Sequence, residues 1–285
     1  MRQTLSDFEL IIIDDGSIDG SRSIVDSYAE SDSRVVVVHQ SNQGISNARQ
    51  NGIQRATGLF SLFVDADDWI EPNMLEVLTN NAKITGADIV FCDFYEENEK
   101  GVFYWKQEPA SDDSSVVLEQ MLMQLHGALW NKLIRKDLYT RSGTEFVNGL
   151  NFCEDECVII RLLRFGCKVS YVEQALYHYD KTANVDSYTN MWHSRPVEEY
   201  ELFIQSCVPY LDAPQLKRNL DNRIAGIIKK LIYAPNDRYS ESKAFYHRHK
   251  ASLWHSKMSL SRKIYCWLFY NGFRWIKKFG NIHTD

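Results

Sequence analysis

The stretch LFSLFVDADDWIEP, residues 59–72, joins an apolar run directly to a cluster of three carboxylates. The run of residues 59–64 is short and mostly apolar, which predicts a buried strand. In extended backbone, side chains two positions apart face the same side, so Asp65 and Asp67 can converge while Asp68 points elsewhere or closes the turn. Two hard oxygen ligands favour Mg²⁺ or Mn²⁺ over zinc. The alternative is a solvated acidic turn that caps the following helix.

Outward from this stretch, short apolar runs alternate with helix-period segments. Strands are predicted at residues 9–14, 35–39, 59–64 and 88–92, and helices at residues 21–29, 45–56 and 73–85. This alternation predicts an α/β fold with a mostly parallel sheet and helices on both faces, and ligands bind such sheets at the carboxyl ends of the strands. The pair Asp14 and Asp15 and the pair Asp65 and Asp67 both fall there, so we expect them to face one ligand.

Composition narrows the class of protein. The chain has 285 residues and a net charge of −6. It has no stretch of about 20 apolar residues that would span a membrane, and its first residues lack a signal-peptide pattern, so a cytosolic protein is expected. The six cysteines lack paired spacing, which argues against a zinc site or a disulfide framework. No nucleic-acid partner is expected.

The charge is unevenly distributed. Residues 1–216 carry 17 Lys and Arg against 34 Asp and Glu, whereas residues 217–285 carry 15 against 4. Within the basic part, residues 261–279 mix aromatic and basic side chains around an apolar run of only seven residues, 264–270. Such a segment is too short to span a bilayer but suits the interface of an anionic membrane. The alternative is a C-terminal helix packed on the acidic part of the chain.

Five segments in order carry a family resemblance. They are ELIIIDDGSIDGS, SNQGISNARQNGIQRATG, LFVDADDWIEPNML, ALWNKL and NFCEDECVIIRLL, which span position 9 to about 165. The chain thereby resembles the family 2 glycosyltransferases of GT-A fold, which transfer a sugar from a nucleotide donor. A DxD motif alone is common, but five segments in family order are specific.

The resemblance implies a donor site. Asp67 would bind the Mn²⁺ or Mg²⁺ directly, Asp65 would lie between metal and ribose, and Asp15 would hydrogen-bond the base, usually uracil in this family. Without the resemblance, Asp15 reads as a turn-forming residue. Arg49 would contact the nucleotide within a pattern formed by Asn42, Gly44, Ser46 and Ala48.

The resemblance also implies an acceptor site. Asp155, the second acid of an Glu-Asp pair, would be the base that takes a proton from the acceptor hydroxyl, with Glu154 beside it. The alternative is that both acids only complement a helix N-terminus. Three further residues would lie on the acceptor side, with the indole as a stacking surface: Trp130, Asn131 and Lys132. His178 is either a ligand of the diphosphate or metal, or a structural histidine.

These inferences predict three parts: a nucleotide-sugar half of the GT-A domain at residues 1–105, an acceptor half at 106–190, and a helical C-terminal extension at 191–285. The family's first strand and helix have no counterpart here, which predicts a gap in the central sheet. The expected function is the inverting transfer of a sugar from a UDP-linked donor to a lipid-linked glycan. This reaction would serve capsule or exopolysaccharide synthesis at the inner face of the membrane. The alternatives are a non-catalytic partner subunit and a sugar nucleotidyltransferase. The sugar, the linkage and the oligomeric state are not specified by the sequence.

Overall fold

The computed structural model describes residues 2–182 and 196–279. The chain divides into two compact units, Met1–Asn184 and Val185–Asp285. The predicted boundary between residues 190 and 191 lies outside the described residues. The predicted division of the first unit near residue 105 stays a prediction.

Strands and helices alternate through the beginning of the first unit. Its strands are β1 (Leu10–Asp15), β2 (Val35–Gln40), β3 (Phe60–Ser61), β4 (Trp69–Ile70), β5 (Ile89–Asn98), β6 (Gly101–Trp105), β7 (Lys132–Arg135) and β8 (Val169–Asp180). Its helices are α1 (Ser21–Ser31), α2 (Ile45–Arg55), α3 (Met74–Thr85), α4 (Ser114–Met121), α5 (Asp137–Ser142) and α6 (Glu154–Phe165). The α/β fold class predicted from the sequence is confirmed.

The described strands form two sheets. Strands β1 and β2 pair in parallel and form a sheet of their own. The second sheet has the order β3-β7-β5-β8-β4, with β6 added on β5. Only β5 and β8 pair in parallel in it, and its other described pairings are antiparallel. The sheets are therefore more mixed than the mostly parallel sheet expected.

The predicted strand at residues 59–64 is much shorter in the structure, where only Phe60 and Ser61 pair, with β7. Residues 62–64 have no strand partner among the described residues. Directly after them, the backbone N–H of Asp65 donates to a side chain, the Tyr177 hydroxyl, and not to a neighbouring strand.

The core of the first unit lies on the second sheet. Residues 89–94 of β5 are all buried, and α3 packs against this strand and β8. Burying an apolar side chain of this size stabilises the fold by about 1.5–3 kcal/mol. The second sheet is therefore the rigid base that carries the turn at Asp65.

The second unit is helical, as predicted. It contains α7 (Val197–Cys207), α8 (Pro214–Leu231), α9 (Tyr239–His255), α10 (Leu260–Tyr270) and a 3₁₀ segment, Arg274–Phe279. Of the aromatic residues predicted to lie in a membrane interface, Phe269 and Tyr270 are buried in this unit. The Tyr270 ring stacks on Tyr246, with centroids 4.7 Å apart. None of the described helices has the length and apolar character to cross a bilayer.

Candidate active site

The guanidinium of Arg49 joins three carboxylates that are distant in the sequence. Its Nη2 lies 2.9 Å from Oδ1 of Asp65, and its Nη1 donates to both Glu154 and Asp155. Arg49 is only 9% exposed. A planar guanidinium can serve several carboxylates at once because its donors point in fixed directions. The sequence-predicted metal ligand Asp65 and the predicted base Asp155 are therefore brought to one place.

Helix α2 places Arg49, and its start is fixed by close packing. Gly44 precedes the helix with φ at 86°, a conformation that favours glycine. A Cβ on Gly44 would lie 2.5 Å from Oδ1 of Asn151. The carboxylate of Asp15 accepts hydrogen bonds from the backbone N–H groups of Gln43 and Gly44, at 2.8 and 2.9 Å. The turn before α2 is thus tied to the end of β1.

Asp15 and Asn42 were predicted to bind the nucleotide. Asp15 also accepts from the side-chain amide of Gln40, at 2.7 Å, so three donors of the chain use a carboxylate that offers about four lone-pair sites. Asn42 is exposed and lies against Gly16. A Cβ atom added to Gly16 would lie only 2.8 Å from the backbone nitrogen of Asn42. In this structure Asp15 mainly shapes the loop, and Asn42 and Gly44 line the same loop.

Asp14, beside Asp15, forms a separate network. Its Oδ1 accepts from the backbone N–H of Ser17 at 2.9 Å, and its Oδ2 lies 2.7 Å from Nδ1 of His39. The other ring nitrogen of His39 contacts Asp26 of α1 at 2.8 Å. The hydrogen bonds from Ser17, with help from His39, lower the pKa of Asp14 to about 2. The bonds to Asp14 and Asp26 raise the pKa of His39.

Residues 65–68, DADD, form a turn, here called the DADD turn. It is held by Tyr177, which was not predicted from the sequence. Its hydroxyl donates to Oδ2 of Asp68 at 2.6 Å and accepts from the backbone N–H of Asp65 at 3.1 Å. Oδ1 of Asp68 accepts from the backbone N–H of Asp180, at 2.9 Å. Burial raises the pKa of Asp68 to about 6. Asp68 thus closes the turn through its bonds to Tyr177 and Asp180.

Asp67 is exposed and forms no hydrogen bond or ion pair with any described residue. Within the described part of the chain, no three His, Cys, Asp or Glu side chains are grouped to hold a metal ion. Mg²⁺ is usually bound by one or two carboxylates together with substrate phosphates and water, so a protein site of two acids is sufficient. Asp65 and Asp67 therefore fit a divalent ion that is shared with a phosphate-bearing substrate.

Glu154 and Asp155 begin α6, after Cys153 in the left-handed conformation with φ at 54°. Oδ2 of Asp155 accepts from the backbone N–H of Leu129, at 3.1 Å. Burial is the main cause that raises the pKa of both carboxyls, to about 7 for Glu154, although Arg49 opposes the shift. A carboxylate with a raised pKa next to a fixed cation is suited to accept a proton near neutral pH.

The ALWNKL segment does not offer the surface that was expected. Trp130 is 3% exposed and its ring stacks on Tyr177, with centroids 4.4 Å apart. Asn131 donates to the carbonyl of Cys92 at 3.0 Å. Lys132 is fully buried, donates to Asn131 and to two backbone carbonyls, and burial lowers its pKa to about 7. In this structure the three side chains are therefore packed in the core, and their assignment to the acceptor side stays a prediction.

His178 has structural partners on both ring nitrogens. Nδ1 lies 2.7 Å from Glu97 and Nε2 lies 3.0 Å from Glu71. The ring stacks on Trp69, with centroids 3.3 Å apart. These contacts agree with the alternative of a structural histidine.

Two residues near the site were missed by sequence reasoning. Tyr177 follows no motif, and only its position in YHYD beside His178 could have drawn attention to it. Asn151 packs on Gly44, and its Oδ1 is buried without a hydrogen-bond partner among the described residues. A buried acceptor without a donor is uncommon, so Asn151 is a candidate for ligand contact.

Relatives of known sequence match this chain. A family model described as "Glycosyl transferase family 2" matches residues 1–145. The uncharacterized glycosyltransferase EpsJ of Bacillus subtilis (strain 168) is 34% identical over 193 residues, which cover 65% of this chain and 56% of EpsJ. The match to the glycosyltransferase EpsH of the same strain covers 53% of EpsH. The chain thus spans about half the length of these curated relatives.

Solved structures share the fold. S. aureus TarS 1–349 in complex with UDP has a TM-score of 0.57 at 17% identity, and the match covers 98% of this chain and 85% of that one. The mannosyltransferase PcManGT from Pyrobaculum calidifontis in complex with GDP-Man and Mn²⁺ has a TM-score of 0.55 at 15% identity, with 98% and 77% covered. The likeness supports the expected GT-A fold with a helical C-terminal part. With the family model matching just over half of the chain, this protein belongs to glycosyl transferase family 2.

Proposed function

We propose that this protein transfers a sugar from a UDP-linked donor to a glycan acceptor, with inversion at the sugar carbon. The observation that carries the proposal is the Arg49 cluster. One guanidinium holds Asp65, next to the predicted metal ligand Asp67, against Glu154 and Asp155 of α6. Direct displacement requires a leaving-group site and a base on opposite sides of one sugar, and this cluster joins a candidate for each.

The donor side is formed by the turn at Asp65 and the loop before α2. Asp65 and Asp67 would hold Mn²⁺ or Mg²⁺, which supplies positive charge to the departing diphosphate. Asp15, Asn42 and Gly44 would border the nucleotide. The TarS structure contains UDP and the PcManGT structure contains Mn²⁺, which supports this type of donor and metal.

Asp155 is the proposed base. It would take the proton from the acceptor hydroxyl as that oxygen bonds to the sugar carbon, while the bond from this carbon to the diphosphate oxygen breaks and the electron pair leaves with UDP. Two hydrogen bonds, from Arg49 and Leu129, hold the carboxylate and leave lone pairs for the hydroxyl. Glu154 shares Arg49, and we place it at the acceptor.

The acceptor is proposed to be a lipid-linked glycan in cell-surface polysaccharide synthesis, reached at the inner face of the membrane. The support is chemical. The second unit exposes Trp254, Trp267 and Trp275 in a part of the chain rich in Lys and Arg. Aromatic and basic side chains together favour the headgroup layer of an anionic membrane.

Calorimetric titration with UDP, with and without Mn²⁺, tests this function, together with release of UDP from UDP-sugars. We expect UDP binding that depends on Mn²⁺, and UDP release that Asp67→Ala abolishes without lowering the melting temperature, because an exposed carboxylate contributes little to packing.

Glu76→Ala, which removes another carboxylate from the first unit, is the control. It should retain both the Mn²⁺-dependent binding of UDP and the release of UDP from UDP-sugars. Near-normal UDP release by Asp67→Ala at saturating Mn²⁺ would contradict the metal assignment. UDP binding without any turnover would favour a non-catalytic partner subunit.

A further inference from the structure

A cavity of 480 Å³ in the second unit is lined by two cationic residues and by four residues that carry hydroxyl groups, of which the Tyr265 hydroxyl is buried. Its residues come from the end of α8, the residue Tyr233 that follows it, and the beginning of α10. They are Lys229, Tyr233, Ser259, Ser261, Arg262 and Tyr265. The combination of cations with hydroxyl donors is the chemistry that binds a phosphate group.

The two cations have no acidic partner in the part of the chain that the structure describes. Lys229 and Arg262 are half-buried, and neither forms an ion pair within residues 2–182 and 196–279. Partly burying a charge without compensation is unfavourable. By contrast, Arg248 of α9 pairs with Glu201 at 2.7 Å, and Lys263 donates to the carbonyls of Trp254 and Ser256. The cavity therefore holds positive charge that a bound anion would neutralise.

An apolar stripe runs beside the cavity on α10. Leu260 is 65% exposed, and Ile264 and Trp267 are also exposed. Residues spaced by three and four positions lie on one face of a helix, so these three form one stripe. The cavity residues Ser261 and Tyr265 each come one position after a stripe residue. They therefore lie on the face of α10 next to the stripe. A ligand that fits both features carries a phosphate and apolar chains.

We propose that this cavity binds the phosphate of an anionic phospholipid headgroup, while the stripe of Leu260, Ile264 and Trp267 enters the headgroup layer. The proposal deepens the membrane contact suggested above, but it rests on the cavity and not on sugar transfer. It assigns the contact to a defined pocket instead of to the general positive charge of residues 217–285.

The test is cosedimentation with phosphatidylcholine vesicles that contain or lack phosphatidylglycerol. The pocket variant is Lys229→Gln with Arg262→Gln. The control variant, Lys217→Gln with Arg218→Gln, removes the same charge from exposed positions at the start of α8, roughly 18 Å along the helix from Lys229. Each variant loses two positive charges, so the general electrostatic attraction of the protein to the anionic vesicle should fall equally in both.

We expect the affinity for phosphatidylglycerol vesicles to fall about tenfold further in the pocket variant than in the control, because only the pocket cations would contact the lipid phosphate. Equal losses in the two variants, or no loss in the pocket variant, would overturn the proposal. Binding of inorganic phosphate to the unchanged protein, with no binding to either type of vesicle, would assign the cavity to free phosphate and overturn the proposal as well. If melting curves show that the double variant does not fold, Arg262→Gln and Arg218→Gln are compared instead.

UDP titration of the same preparations separates this proposal from the proposed function. Both variants should bind UDP as the unchanged protein does, because neither alters the first unit. Absence of UDP binding in every preparation would contradict sugar transfer and leave the vesicle comparison valid.

Discussion

The two sheets of the first unit are stabilised by different interactions. In the second sheet, residues 89–94 of β5 are fully buried between α3 and other elements. In the first sheet, the apolar residues of β1 are only partly buried, and the one buried residue of that strand is Asp14. Helix α1, beside it, has no buried residue. One sheet is held by apolar packing, and the other depends on polar contacts.

Some of the polar contacts beside the first sheet lead to the candidate site. Asp15 holds the turn before α2, and Arg49 connects α2 to the DADD turn and to α6. Asp14 and His39 form the separate network described above. Regions with few buried apolar contacts open more easily, and binding loops are drawn from them. The comparison indicates that the first sheet and the loop before α2, where we propose the donor binds, can be ordered by a ligand more than the second sheet can.

Removing Arg49 should have the largest effect. Arg49→Leu leaves Asp65, Glu154 and Asp155 without their cation, and breaking a buried ion pair from one side costs about 3–5 kcal/mol. Because burial raises the pKa of Glu154 and Asp155, protonation should relieve the repulsion, so the loss should be smaller near about pH 5 than near about pH 8. Urea unfolding at both pH values measures it.

The control for that variant is Arg55→Leu, which removes an exposed arginine from the same helix. It should change the free energy of unfolding by about 0.5 kcal/mol or less. A loss for Arg49→Leu as small as that of the control would show that the cluster is not held by its ion pairs.

The contrast between the sheets predicts an intermediate effect for matched isoleucines. Ile89→Ala in β5 removes a fully buried side chain and should cost about 2–5 kcal/mol, whereas Ile12→Ala in β1 removes a partly buried one and should cost about half as much. Urea unfolding of the two variants gives the difference. Equal losses would remove the distinction between an apolar and a polar sheet.

His39 should give the smallest effect. Its raised pKa means that its contribution to stability is complete below the ordinary value of 6.5 and is lost as the pH rises through its higher folded value. His39→Gln should therefore flatten the decline of melting temperature above about pH 6.5. His247→Gln, an exposed histidine of α9, should keep the decline, and an unchanged slope in His39→Gln would contradict the Asp14 and Asp26 contacts.

Local sequence patterns identified much of this architecture. The apolar runs at β1 and β2 and the helical periods at α1 and α2 predicted elements that the structure places within about two residues. Asp65 and Asp67 stood out because they follow an apolar run, although a solvated turn was an alternative. Glu154, Asp155 and Arg49 were selected through the family resemblance, because the local pattern of each also fits an ordinary helix.

The rest depends on tertiary packing that one-dimensional patterns do not contain. Trp130 reads equally well as a sugar-stacking surface or a core ring, and only the stacking on Tyr177 distinguishes the two. Of the strand predicted at residues 59–64, only Phe60 and Ser61 pair with β7, and the apolar run does not show where this pairing stops. Tyr177 reaches the DADD turn from β8, across 109 positions of sequence.

We propose that the Arg49 cluster joins a donor site, at Asp65 and Asp67, to a separate base, Asp155. Asp155→Asn tests this division most directly, because asparagine keeps the size of the side chain and can still accept from Leu129. The measurement is UDP affinity with Mn²⁺ together with the rate of UDP release from a UDP-sugar, and Glu154→Gln serves as the neighbouring control. We expect unchanged UDP affinity for Asp155→Asn and a rate lowered by about 10² to 10⁴, with a smaller loss for Glu154→Gln. Loss of UDP affinity at an unchanged rate would place Asp155 in the donor site and contradict its role as the base.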